Sequence, residues 1–182
     1  MQSQNERKLF RYLDLFPNID DSVFLASGVK IVGDVTIGKG SSIWYNTVIR
    51  GDVHYVKIGE LTNVQDLCML HVTNGRYPLN IGNRVTIGHS VKLHGCTIRD
   101  LALIGIGAIV LDGAIVEEKT IVAAGAVVKP NFIVPSGKLV AGVPAKVIRD
   151  LSAEEINDLD ASAIRYKKYT EITINSLNDK PE

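Results

Sequence analysis

The stretch Leu70–His94, LHVTNGRYPLNIGNRVTIGHSVKLH, decides the fold, because Ile81, Ile87 and Leu93 stand six residues apart within it. The same interval continues in both directions. Upstream, Ile31, Ile37, Ile43 and Ile49 are spaced by six; after three extra residues around His54 to Val56 the phase resumes at Ile58, Val64 and Leu70. A five-residue insertion within His71–Asn80 precedes Ile81. One residue is missing before Ile98, after which Ile104, Val110, Val116, Val122, Val128, Val134 and Val140 complete the series. A period of six suits neither an amphipathic helix nor a two-sided strand. A fixed internal period is instead the signature of a stacked architecture.

Six residues suit one short flat strand plus a corner, and three such units close a triangular coil of about 18 residues. Stacking then puts the aliphatic residue of every unit inside, where β-branched Ile and Val suit a pleated, packed surface. Small residues follow many of these positions, as in Ile58-Gly59 and Ile104-Gly105, and are expected to permit tight turning. The pattern resembles the hexapeptide-repeat proteins, and that resemblance implies an all-β, left-handed parallel β-helix. The hand comes from the resemblance alone, since parallel crossovers are normally right-handed.

Residues 1–18 read as a lead-in and cap in which Leu9, Phe10, Leu13, Leu15 and Phe16 cover the open end of the first coil. The repeats occupy 19–149, and Ala141–Arg149 resembles the closing segment of many hexapeptide-repeat proteins. Residues 150–182 hold a C-terminal helix and a tail. Ser152 and Glu155 form a capping-box pattern, and Ile156, Leu159, Ala163 and Tyr166 make an apolar stripe expected to lie against the β-helix. The helix is expected to run to about Tyr169, with the polar tail after Thr173 mobile.

Composition agrees with one domain: 182 residues, 46% hydrophobic, are ample for a continuous core. Twenty basic residues balance twenty acidic ones, so neither a nucleic-acid nor a membrane partner is suggested. There is no long apolar run, and Met1–Lys8 is mostly polar without a signal-peptide pattern. A cytoplasmic location is the default expectation. Cys68 and Cys96 form no CxxC motif and read as small buried residues.

Three of the four histidines lie in the opening stretch, and face counting says which can meet. With Ile49 on face A, Ile58 falls on B, Val64 on C, Leu70 on A, Ile81 on B, Ile87 on C and Leu93 on A. Arg50, His71 and His94 each follow the inward residue of face A, so they stack in one column about 4.8 Å per coil. His89, two residues past Ile87, belongs to face C, in the column of Asp66. His71 and His94 can therefore share a metal, while His89 must serve a site completed by another molecule. Identical prisms packed face A against face C close into a three-fold ring. Three neutral imidazoles with an open position are the ligands expected of a catalytic zinc, and they also accept iron(II) or cobalt.

Arg50-Gly51-Asp52, Asn63-Val64-Gln65-Asp66, His71 and Gly88–Cys96 resemble the γ-class carbonic anhydrase family, over a span from about residue 10 to the C-terminal helix. The resemblance implies a homotrimer with metal, most simply Zn2+, at each interface, ligated by His71, His89 and His94, acting on carbon dioxide and bicarbonate. It also implies charge pairs for Arg50 and Asp52, a hydrogen bond from Gln65 to the nucleophilic water, assistance from Asp66, substrate contact by Asn63 and a place for Tyr166 on the helix. The family's best-studied members carry a Glu directly after Arg-x-Asp and further acids in a longer loop, which move protons. Here Val53-His54 follows, the loop Val72–Pro78 has no acid, and Ile164-Arg165-Tyr166 stands where related members show Asn-Asn-Tyr. His54 is then the nearest titratable group by sequence for the proton. Two other classes stay open: a hexapeptide-repeat acyl-CoA transferase using one histidine as general base, and a metal-binding trimer without appreciable catalysis.

Overall fold

The structure is a computed structural model and describes residues 8–178. Short parallel strands stack in register as a left-handed parallel β-helix followed by one helix, Ala153–Asn178. Two faces of the prism join into one sheet through the long strand Val48–Ile58, which runs round a corner. The third face is a separate sheet, closed by antiparallel pairing of Lys138–Ala141 with Lys146–Asp150. Among the described residues no helix is long and apolar enough to cross a membrane.

The period of six is the core. Every apolar residue of the series from Ile31 to Val140 is buried, and each pairs with its equivalent one coil away. Ile49 lies opposite Leu70 and Leu70 opposite Leu93 on face A; Ile58 faces Ile81 on B, and Val64 faces Ile87 on C. A second ladder, largely buried, stands two residues before most inward positions and often takes small side chains, among them Cys68, Cys96, Ala102, Ala108, Ala114 and Ala126. Both cysteines are free and buried. Burial pushes their thiols up, Cys68 to about 12.

The first insertion is a bulge. Gly33 pairs with Gly51 and Val35 with Val56, so Asp52–Tyr55 stands opposite Asp34 alone and is pushed out of the coil. The second folds into a tight loop closed by Thr73 and Tyr77, and Tyr77 lies over the corners at Gly95 and Gly113.

The corner glycines act differently from the sequence expectation. The left-handed turn falls three residues before the inward position, and at one corner it is taken by Asn46, Leu67, Ser90, Gly107 and Gly125 in successive coils, φ 58, 60, 60, 68 and 67. Asn and Ser tolerate that region, and Leu67 is forced into it by the coils on either side. The glycines after the inward residue meet the next coil instead: a Cβ on Gly105 would lie 2.5 Å from the Ala124 nitrogen, and one on Gly59 2.6 Å from the Gly82 carbonyl oxygen. They serve close stacking, not turning.

Leu9–Phe10 extends face A by pairing with Ile31 and Val32. The expected apolar cap is only partial, because Leu13, Leu15 and Phe16 are exposed. Ser152 caps the helix as its pattern requires: its Oγ accepts from the Glu155 N–H (3.1 Å), and Glu155 accepts from the Ser152 N–H (2.8 Å). The helix runs past Tyr169 and Thr173 to Asn178. The segment after Thr173, expected as a polar mobile tail, continues the helix as far as it is described; residues 179–182 lie outside the described residues.

Candidate metal centre

Face A carries a polar column. His94 lies directly opposite His71 in the register of the sheet. Their rings are 5.1 Å apart between centroids, and His71 Nδ1 and His94 Nε2 face each other at 3.2 Å. The outer nitrogens are anchored on carboxylates, His71 Nε2 on Asp52 (3.0 Å) and His94 Nδ1 on Asp112 (2.7 Å). Arg50 donates to the other oxygen of Asp52, and the Thr73 hydroxyl donates to the other oxygen of Asp112 (3.0 Å). Burial raises the Asp52 carboxyl, but the hydrogen bond from His71 and the Arg50 charge outweigh it and hold Asp52 below the usual carboxylate range.

An ionised carboxylate accepts, so each outer nitrogen carries the proton. With both imidazoles neutral, two lone pairs then face each other at 3.2 Å, an arrangement that a shared proton or a metal ion relieves. Carboxylate-anchored imidazoles of this kind are the usual setting of metal-binding histidines. The donor set on face A therefore fits a divalent ion, two ligands deep.

His89 is on another face, as its spacing requires. Its Nδ1 meets Asp66 Oδ2 at 2.7 Å, and Asp66 Oδ1 accepts from the Tyr45 N–H at 3.1 Å, so the third imidazole is also held by a carboxylate and keeps Nε2 outward. His89 and Asp66 open into a cleft of about 320 Å3 completed by Trp44 and, from the helix, Tyr166, Tyr169, Ile172 and Thr173. Tyr166 packs edge-on to Trp44 (centroids 5.7 Å); burial, then the Asp66 charge, raises its hydroxyl pKa. Among the described residues no three metal-ligating side chains converge within one chain. Beneath the cleft runs a buried chain: the Gln65 amide donates to Asn63 Oδ1 (3.2 Å), the Asn63 amide donates to Thr86 Oγ1 (3.0 Å), and Thr86 bonds Ser162 of the helix (3.1 Å).

Sequence reasoning missed Asp112 and Trp44. Trp44 was within reach of the period, because it follows the inward Ile43 on the face of Asp66; Asp112 sits two residues past Val110, which lies opposite Leu93, and meets His94 only through the orientation of that ring.

The family of bacterial transferase hexapeptide repeats (six repeats) matches residues 16–51. A carbonic anhydrase of Geobacillus kaustophilus is 50% identical over 152 residues, covering 84% of this chain and 83% of that one. The mitochondrial gamma carbonic anhydrase 1 of Arabidopsis thaliana is 44% identical over 170 residues, 91% of this chain. The chain belongs to the γ-class carbonic anhydrase family. It spans 62% of the length of the Arabidopsis relative. A Bacillus cereus crystal structure named provisionally as an acetyltransferase superposes with TM-score 0.89 at 44% identity, covering 91% of this chain and 96% of that one.

Within this γ-class scaffold the fourth histidine stands on the bulge. His54 Nδ1 accepts from the Tyr55 N–H (2.9 Å), with its ring edge-on to Tyr55. It lines a depression of about 410 Å3 that also contains Asp52, Val53 and Asn74. His54 thus opens to the same hollow as the carboxylate that anchors His71.

Proposed function

We propose that three copies of this chain form a ring sharing three metal ions, each held by His71 and His94 of one subunit and His89 of the next, and that the assembly hydrates carbon dioxide reversibly to bicarbonate. The observation that carries this reading is the facing pair of nitrogens at 3.2 Å with both outer nitrogens anchored. Height supports it. Rotation about an axis parallel to the prism preserves height, and with about 4.8 Å per coil, about 1.6 Å per face, Ile87 lies between the levels of Leu70 and Leu93. His89 of a neighbour therefore arrives level with the His71–His94 pair. The head-to-tail contact closes after three copies.

Zn2+ is the simplest occupant, and the same imidazoles accept Fe2+ or Co2+. Bound there, the ion supplies the Lewis acidity that makes a hydroxide nucleophile available near neutral pH. The chain's own residues do the rest. Asp52, Asp112 and Asp66 fix the three rings, Arg50 steadies Asp52, and Gln65 orients the nucleophile. Asn63, buried and bonded on both sides, positions Gln65. Trp44 and Tyr166 give carbon dioxide an apolar wall. Cys68 and Cys96, free and buried, suit a reducing compartment, and the cytoplasm is the location we propose.

The proton is the slow step. Val53 stands where an acid would receive it, and His54, with Nδ1 engaged, offers Nε2 instead. Weak, metal-dependent hydration is expected, rising with imidazole buffer concentration; Val53→Glu reduces that dependence. Stopped-flow hydration assays on metal-loaded protein test this, and fast turnover indifferent to buffer would assign the proton to another group. The transferase name of the Bacillus cereus structure favours a second reading, acyl transfer from coenzyme A with a histidine base. Acetyl-CoA turnover by metal-free protein, with no hydration by any metal form, would establish it; the absence of both activities would leave a metal-binding trimer.

A further inference from the structure

The bulge and the N-terminal turn build an exposed apolar corner that a single chain does not use. Leu13 is 78% exposed, Phe16 53% and Val53 37%, far more than a packed cap would leave. The turn is not loose: the Tyr12 and Leu15 N–H groups each donate to the other's carbonyl, at 2.9 and 3.0 Å. On the opposite side, Tyr169 and Ile172 of the helix are 48% and 51% exposed beside the His89 cleft. Leu13 and Val53 line one depression, and exposed apolar side chains brought together in this way mark an interaction site.

We propose that this corner docks onto Tyr169 and Ile172 of a second copy of the chain, closing the outer rim of the shared site. The proposal rests on the three-fold reading above, and levels argue for it. The turn follows Leu9–Phe10, below the Ile31 coil on the histidine-pair face, and Val53 leaves the Ile49 coil at that face's edge. The helix descends the His89 face: Asp160 meets Arg84, Ser162 meets Thr86, and Tyr166 meets Trp44 two coils lower. One turn on, Tyr169 and Ile172 reach the level of the first coils, where neighbouring Thr170 and Ile174 share a groove with Ser22 and Gly40. Packing face A against face C brings the two patches together at equal height. The occupant is a second copy because both patches continue the faces that must meet for His89 to join His71 and His94.

Leu13→Asp and Ile172→Asp in the full-length, metal-loaded protein test the docking, with Ile148→Asp as control. Ile148 is 57% exposed but lies on the closing hairpin at the other end of the prism. Each test variant is expected to raise the trimer dissociation concentration by about ten-fold or more in sedimentation runs, with circular dichroism of the dilute metal-free chain unchanged. The double variant should lose less than the product of the two. A trimer as tight as the parent, a loss no larger than that of Ile148→Asp, or multiplicative losses would overturn the docking and leave the shared site standing. A parent that is monomeric with stoichiometric metal would overturn both.

Discussion

On the proposed reading, His94 offers Nε2 to the metal because Asp112 holds Nδ1 at 2.7 Å. Asp112 in turn is steadied by Thr73 from the second insertion, so the loop reaches the site through a carboxylate. Asp112→Asn removes the charge that fixes the His94 tautomer. Losses of anchoring partners typically cost about 10–100-fold in metal affinity, and that range is the expected outcome in competition with a chromophoric chelator. An affinity equal to the parent's would show that His94 needs no anchor. The pairing of His71 with His94 was legible because a side-chain column follows from counting sixes. Asp112 was not, since it sits two residues past its inward Val110 rather than one. Only the rotamer of His94, invisible to a period, brings the two together.

At the scale of the element, the corners separate two uses of a small residue that look alike in sequence. Backbone angle is satisfied at one corner by Asn46, Leu67 and Ser90 as well as by glycine, whereas Gly59 and Gly105 are fixed by the next coil's backbone. Gly105→Ala is accordingly expected to destabilise by about 1–3 kcal/mol, the usual cost of forcing extra volume into a packed region. Gly125→Asn, at a left-handed corner with open space around it, should cost less. Thermal unfolding of the two variants checks the order, and equal or reversed losses would return the corner glycines to a turning role. The helix shows the same limit of pattern reading. Its stripe fades after Tyr166 and the β-branched Thr170, Ile172, Thr173 and Ile174 argue for a stop. The chain stays helical, and the Thr170 and Ser176 hydroxyls bond the carbonyls of Tyr166 and Ile172 four residues back (both 2.9 Å).

For the whole molecule, the sequence carried the coil, its two insertions and the face of each histidine, because one inward residue per unit leaves no freedom of register. The cap was less legible. Leu13, Leu15 and Phe16 are apolar yet exposed, and a single chain's pattern cannot tell a residue that covers its own core from one that covers a neighbour's. The division of the histidines between faces makes the central claim one about assembly. Mixing His89→Ala subunits with His71→Ala subunits tests it most directly. Neither variant alone should hold metal tightly, since each lacks a ligand at every site. After joint refolding, a site formed between a His89→Ala face A and a His71→Ala face C has all three imidazoles, and random assembly in a ring makes about one quarter of the sites complete. Metal retained after gel filtration in the presence of a chelator should recover to about that fraction of the parent. A mixture that retains no more metal than the two variants separately would contradict the shared site.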